Sequence, residues 1–91
     1  MKVYLLGNKN DPELLGKIEE DLIKRGYVVV NPSKISNALP KEITNSEFAS
    51  ILFEVIYICD AVYVVEGWEK DFTARIEKSR AEYLWKEFLS E

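Results

Sequence analysis

Apolar residues along this chain fall into two patterns that alternate: short unbroken runs and longer stripes at helical spacing. The runs Val3 to Leu6, Tyr27 to Val30 and Ala61 to Val65 are rich in β-branched and aromatic residues and carry no polar alternation. Unbroken runs of this kind suit strands buried on both faces, as in a parallel sheet. Between them, apolar residues recur every third or fourth position, the spacing of a helix with one buried side. The alternation predicts βαβ units joined by right-handed crossovers.

The first helix is expected from Pro12 to about Arg25. Asp11 is a good N-cap, Pro12 suits the first helical position, and Gly26 is placed to end the helix. Its buried stripe is Leu15, Ile18 and Leu22, widened by Leu14 or Ile23. Asn31-Pro32-Ser33 closes the second strand, because proline cannot continue a hydrogen-bonded ladder. Residues 34–43, with Asn37 and Pro40, read as a loop holding one helical turn at most. Thr44-x-x-Glu47 then matches a capping box. It opens a second helix with the stripe Phe48, Ile51, Leu52, Val55, Ile56 and Cys59, ended by Asp60. A last helix is expected from about Thr73 to Leu89. The expected fold class is α/β: one domain over residues 1–91, a three-layer sandwich around a three-stranded parallel sheet (β-α-β-α-β-α). In a doubly wound order the first strand is central. So small a sheet has two open edges and little core, which predicts a homodimer.

One residue breaks the helical pattern. The last stripe runs through Ala74, Ala81, Leu84, Trp85 and Phe88, and Glu77 falls on it, near the helix start. Burying a carboxylate is costly unless a partner or a function holds it there. Glu77 is therefore the leading candidate for catalysis, beside the competing reading that an acid near a helix start merely complements the dipole. The catalytic reading expects the carboxyl to face inward at the mouth of a crevice, without a neutralising cation. A partner such as Arg75 or Lys78 on a flat surface favours a structural role instead.

Composition narrows the chemistry. The 91 residues are 47% hydrophobic with a formal charge of −4, and the mean hydropathy is −0.16. That charge offers no basic footprint, so a nucleic-acid polymer is not the expected partner. A single cysteine, Cys59, excludes an intrachain disulfide, and the absence of histidine disfavours a zinc site. No metal or cofactor is expected, and proton transfer falls to carboxylates, tyrosines or lysines. No stretch is apolar enough to span a membrane or serve as a signal peptide, so a cytoplasmic location is expected.

Ligands of open α/β sheets bind beyond the carboxyl ends of the strands. Here those ends are Gly7-Asn8, Asn31-Pro32-Ser33 and Glu66-Gly67-Trp68, with Asp71 close by. Gly7, Asn8, Asn31, Gly67 and Trp68 are the candidate substrate-binding residues, and each has a plainer alternative. Gly7 can serve a tight turn, Asn31 a strand end, and Trp68 a hydrophobic lid. Asp71 can be a helix N-cap, and Tyr4 can be core.

Val62-Tyr63-Val64-Val65-Glu66-Gly67-Trp68-Glu69-Lys70, preceded by Cys59-Asp60 and followed by Ala74-Arg75-Ile76-Glu77, resembles the phage and bacterial family of unknown function DUF4406. The opening Lys2-Val3-Tyr4-Leu5-Leu6-Gly7 and Val30-Asn31-Pro32 resemble it in the same order. That family looks related to the nucleoside 2-deoxyribosyltransferases. The resemblance implies a flavodoxin- or Rossmann-like fold, a nucleoside or nucleotide ligand, and cleavage or transfer at an N-glycosidic bond. It places Glu77 at the position of the nucleophilic glutamate, Asp71 at that of the aspartate that helps protonate the departing base, and Tyr4 at that of the tyrosine near the nucleophile. Two-step displacement through a carboxylate suits an oxocarbenium-like centre. In relatives a neighbouring subunit often completes the site. The chain departs from the family pattern at Leu6-Gly7-Asn8, at Leu52 and at Thr73, and it is expected to lack the strand that follows the last helix. A carboxylate at position 71 repels phosphate, which favours a nucleoside over a nucleotide. The alternative is a binding or interaction protein that has lost activity.

Overall fold

Each of the three apolar runs forms a strand in the computed structural model, which describes residues 1–90. The strands are β1 (Lys2–Leu6), β2 (Val28–Val30) and β3 (Ala61–Val64). Helices α1 (Pro12–Lys24) and α3 (Asn45–Ile58) separate them, and α4 (Phe72–Tyr83) follows β3 after a 3₁₀ turn at Trp68–Lys70. The caps act as the sequence suggests. Asp11 accepts from the Leu14 amide with Pro12 behind it, and Thr44 and Glu47 form a reciprocal capping box.

Two elements differ from expectation. Residues 32–38 form a full helix, α2 (Pro32–Ala38), where a loop was expected. Asn31 is its N-cap, accepting from the Ser33 amide, and Pro32 occupies the first turn, where a missing N–H costs nothing. The residues that end β2 therefore also start a helix. The second difference lies at the C-terminal end. The last helix stops at Tyr83, and Glu87–Leu89 form a fourth strand, β4, so the sheet is four-stranded rather than three-stranded.

The stop is a Schellman turn. The Lys86 amide donates to the Ala81 carbonyl and the Trp85 amide to the Glu82 carbonyl. Trp85 sits in the left-handed region at φ 60, a position glycine usually fills. Trp85 is consequently 93% exposed, and Phe88 lies on the edge strand, so neither extends the buried stripe of α4.

The sheet is wholly parallel with strand order β2-β1-β3-β4. β1 lies inside it, as a doubly wound order requires. Alternate residues of β1 feed two cores. Val3 and Leu5 pack with Leu15 and Leu22 of α1, together with Ala61, Tyr63 and Val65. Tyr4 and Leu6 pack with Leu52 and Ile56 of α3 and with Ala74 and Ala81 of α4. The result is a three-layer α/β sandwich. No helix among the described residues is long and apolar enough to cross a membrane.

A candidate functional site at the strand switch point

The chain leaves β1 toward β2 on one side and later returns to β3 on the other. The carboxyl ends of β1 and β3 are thus the switch point where an open α/β sheet forms its crevice. β1 pairs Leu6 with Val64, and the Val65 amide donates to the Leu6 carbonyl at 2.9 Å, so Gly7 emerges beside Val65. The approach is close. A Cβ on Gly7 would lie 2.7 Å from Leu15 Cδ2 and 3.0 Å from Val65 Cβ. Gly7 is therefore a packing glycine that lets the following loop cross the sheet end, and it carries Lys9 over to the start of α4.

Glu77 is fully buried, at 0% exposure. Tyr4 Oη donates to Glu77 Oε1 at 2.5 Å, and Lys9 Nζ donates to Glu77 Oε2 at 2.7 Å. The same ammonium donates to Thr73 Oγ1 at 3.0 Å and stands 3.8 Å from Asp71 Oδ2. Asp71 is saturated. Its Oδ2 accepts the Lys9 amide at 2.8 Å, while its Oδ1 accepts the Thr73 hydroxyl at 2.7 Å and the Ala74 amide at 3.1 Å. One lysine thus ties the β1–α1 loop to the first turns of α4 through two carboxylates and a hydroxyl.

The electrostatics follow from these contacts. Burial pushes the Glu77 carboxyl above its ordinary range, and the Lys9 charge, with hydrogen bonds from Lys9 and Tyr4, only partly offsets that. Burial and the adjacent Glu77 charge hold the Tyr4 phenol well above its usual value. Burial also pushes the Asp71 carboxyl upward, but the Lys9 amide, Thr73 hydroxyl, Lys9 ammonium and Ala74 amide together outweigh it. Asp71 is therefore held below the usual carboxylate range and stays ionised.

The structure brings together Tyr4, Asp71 and Glu77 of the sequence-level candidates and adds two residues, Lys9 and Thr73. Arg75 and Lys78 do not pair with Glu77: Arg75 lies over the Phe72 ring, and Lys78 pairs with Glu82. The expectation of a carboxylate without a cation is overturned by Lys9, whose side chain is only 10% exposed. No periodicity marks Lys9, which lies in a loop between polar neighbours. Thr73 was legible only as a departure from the family pattern, yet its hydroxyl bridges Lys9 and Asp71.

The substrate-binding candidates divide. Gly67 and Trp68 line a cavity of about 540 Å³ with Leu14, Ile18, Val65, Glu66 and Glu69 among its walls. Gly67 has φ 89 and so turns the chain sharply out of β3. The cavity opens on the α1 side of the sheet and is not lined by Tyr4, Asp71 or Glu77. Trp68 also packs against the core that contains Tyr4 and Ala74. Asn8 accepts from the Asn10 amide in the loop. Asn31 is buried, caps α2 and donates to Glu19 Oε1 at 3.0 Å, with Lys34 on the other Glu19 oxygen. Asn31 therefore fastens α2 to α1 rather than joining the Glu77 cluster.

Over residues 1–89 the chain matches the family model described as "Domain of unknown function (DUF4406)". No curated protein and no solved structure gives a significant match.

Proposed function

Because the chain belongs to DUF4406, we propose that its strand switch point binds a nucleoside and acts at the N-glycosidic bond, in the manner of the nucleoside 2-deoxyribosyltransferases. The observation that carries this reading is the fully buried Glu77 carboxylate, held by a phenol and an ammonium at the carboxyl end of β1. A carboxylate kept basic by burial and aimed by two donors suits attack on an anomeric carbon. In that step a Glu77 oxygen bonds to the sugar carbon as the carbon–nitrogen bond breaks, and the base leaves with a proton. Water or a second base then resolves the sugar ester.

Lys9 decides how such a site would work. With Nζ on Glu77, the nucleophile is covered, so the arrangement is a closed form and the Lys9 side chain must withdraw for a sugar to enter. Asp71 is held ionised and is poorly suited to give up a proton; its part is to hold the Lys9 loop. The proton for the departing base is assigned to the Lys9 ammonium. Asp71 and Glu77 set two carboxylates at this site against the one ammonium of Lys9, which favours an uncharged nucleoside over a phosphorylated one. A homodimer in which a second subunit closes the open side of this crevice belongs to the same reading.

A second reading has its own observation. Glu77 has no solvent exposure and a lysine already on it, so the cluster also serves as an internal clamp in a non-catalytic binding or interaction protein. The discriminating experiment incubates the protein with a panel of 2′-deoxynucleosides and nucleotides and measures free base by chromatography. The glycosidic reading expects base from the wild type and none from Glu77→Ala. No base from the wild type, with and without an acceptor base, leaves only the second reading.

A further inference from the structure

The two faces of the sheet are covered unequally. Ile35 of α2, Leu52 and Ile56 of α3, and Ala74 and Ala81 of α4 all pack on the face that carries Tyr4 and Leu6. On the opposite face α1 is the sole helix that contributes to the core among the described residues, through Leu15 and Leu22. It packs against β2, toward one edge of the sheet, so no second helix lies over β3 and β4 on that face. The gap is the cavity of about 540 Å³, bounded by Leu14 and Ile18 of α1, by Tyr63 and Val65, and by Ser90 just past β4. Leu14 and Ile18 lie one helical turn apart and are both half-buried, so they wall the cavity without filling it. Its volume is that of a small-molecule site, and it opens at the carboxyl end of β3, where open α/β sheets receive ligands.

The lining carries charge of a single sign. Glu66 and Glu69 bracket Gly67 and Trp68 in the turn after β3, and both line the cavity. Both are exposed, and neither has an ion pair or hydrogen bond among the described residues. The nearby lysines do not answer them. Lys70 lies outside the lining, and Lys78, 5.4 Å from the Trp68 ring centroid, is paired with Glu82 at 3.1 Å. An anion here meets two like charges, and a neutral molecule leaves both carboxylates without a partner. A cation on an apolar body satisfies the walls and the rim together. We propose that this cavity is a second ligand site, separate from the Glu77 cluster, for a small organic cation: an amine or amidine on an aromatic or aliphatic body. The body packs against Leu14, Ile18 and Trp68, and the cationic group meets Glu66 and Glu69. The site does not depend on whether Glu77 acts on a nucleoside.

The test uses Trp68 as its own reporter. Trp85→Phe removes the other tryptophan, whose ring lies in solvent, and leaves Trp68 fluorescence alone. Benzylamine, phenethylamine and benzamidine are titrated beside the neutral phenethyl alcohol and the anionic phenylacetate, with amide chemical-shift mapping of the wild type to locate each ligand. Saturable binding of the cations is expected, roughly tenfold tighter than that of the alcohol and weakened by salt. The shifts should centre on Gly67, Glu69 and the Trp68 indole. Glu66→Gln combined with Glu69→Gln should bring the cations down to the affinity of the alcohol. Ile18→Trp, which fills the cavity from its α1 wall, should abolish binding of both, with circular dichroism checking the fold. Deoxyadenosine should not displace a bound amine. No saturable response, phenylacetate or the alcohol binding as tightly as the cations, shifts centred on Lys9 and Glu77, or displacement by the nucleoside would each overturn the proposal. Release of free base bears on the Glu77 reading alone, so the two fail separately.

Discussion

The phenolic oxygen of Tyr4 and Oε1 of Glu77 lie 2.5 Å apart, although 73 residues separate them in the chain. This bond fastens the central strand to the buried face of α4. Tyr4 cannot be fully buried without a partner for its hydroxyl, and Glu77 cannot be fully buried without donors. Each meets the other's requirement.

Removing one side of that bond leaves an ionised oxygen short of a donor. Tyr4→Phe is expected to lower stability by roughly 1–3 kcal/mol, the usual cost of leaving a buried polar group unsatisfied. It should also push the Glu77 carboxyl further above its ordinary range, because the Tyr4 bond favours the charged form. Urea unfolding measures the first, and carboxyl titration by carbon-detected magnetic resonance measures the second. An unchanged midpoint would show that the hydroxyl contributes nothing.

Lys9 is the counter-ion of a carboxylate with no access to water. Lys9→Met is expected to cost about 3–5 kcal/mol, since breaking a buried pair strands a charge. Adding Glu77→Gln should recover part of that loss, with a coupling energy of about 1–3 kcal/mol in a double-mutant cycle. Additive single effects would mean that the two side chains do not interact in solution.

The two carboxylates of the cluster predict opposite pH dependences. Asp71 is held below its ordinary value of 3.8 in the folded chain. Its stabilising contribution is therefore present above that value and is lost as pH falls through the lower folded value. Glu77 is raised above 4.5, so the folded state binds its proton more tightly and stability is lost as pH rises through the raised value. The penalty of Asp71→Asn should be full at pH 7 and shrink below pH 3.8. Relative to Glu77→Gln, the wild type should lose stability as pH climbs above 4.5. Thermal unfolding across an acid series checks both signs.

Trp85 offers a stabilising change. It closes the Schellman turn of α4 in a left-handed conformation at φ 60, and its ring is almost wholly in water. Trp85→Gly should relieve strain of about 1–2 kcal/mol, less what glycine adds to the entropy of the unfolded chain. The net expectation is a gain of up to about 1 kcal/mol in denaturant unfolding. A loss of stability would show that the indole makes contacts worth more than the strain.

Local sequence was enough for the first three strands, for both long helix starts and for the burial of Glu77. Unbroken apolar runs, a capping box and a charge set on an apolar stripe are contained within a few residues of chain. It was not enough for α2, because Asn31-Pro32 ends a strand and begins a helix with the same chemistry. Nor was it enough for β4. Residues 84–89 continue an apolar stripe at helical spacing, and no glycine marks the stop that Trp85 makes. Whether Glu87–Leu89 extend a helix or pair with β3 depends on the open edge of a sheet formed far upstream. Lys9 is the clearest case. Nothing within its own loop distinguishes it from a surface lysine. Only the strand order, which sets the ends of β1 and β3 side by side, brings its ammonium within reach of Asp71, Thr73 and Glu77. Periodicity reports which residues turn inward; which of them meet is decided by how distant segments pack.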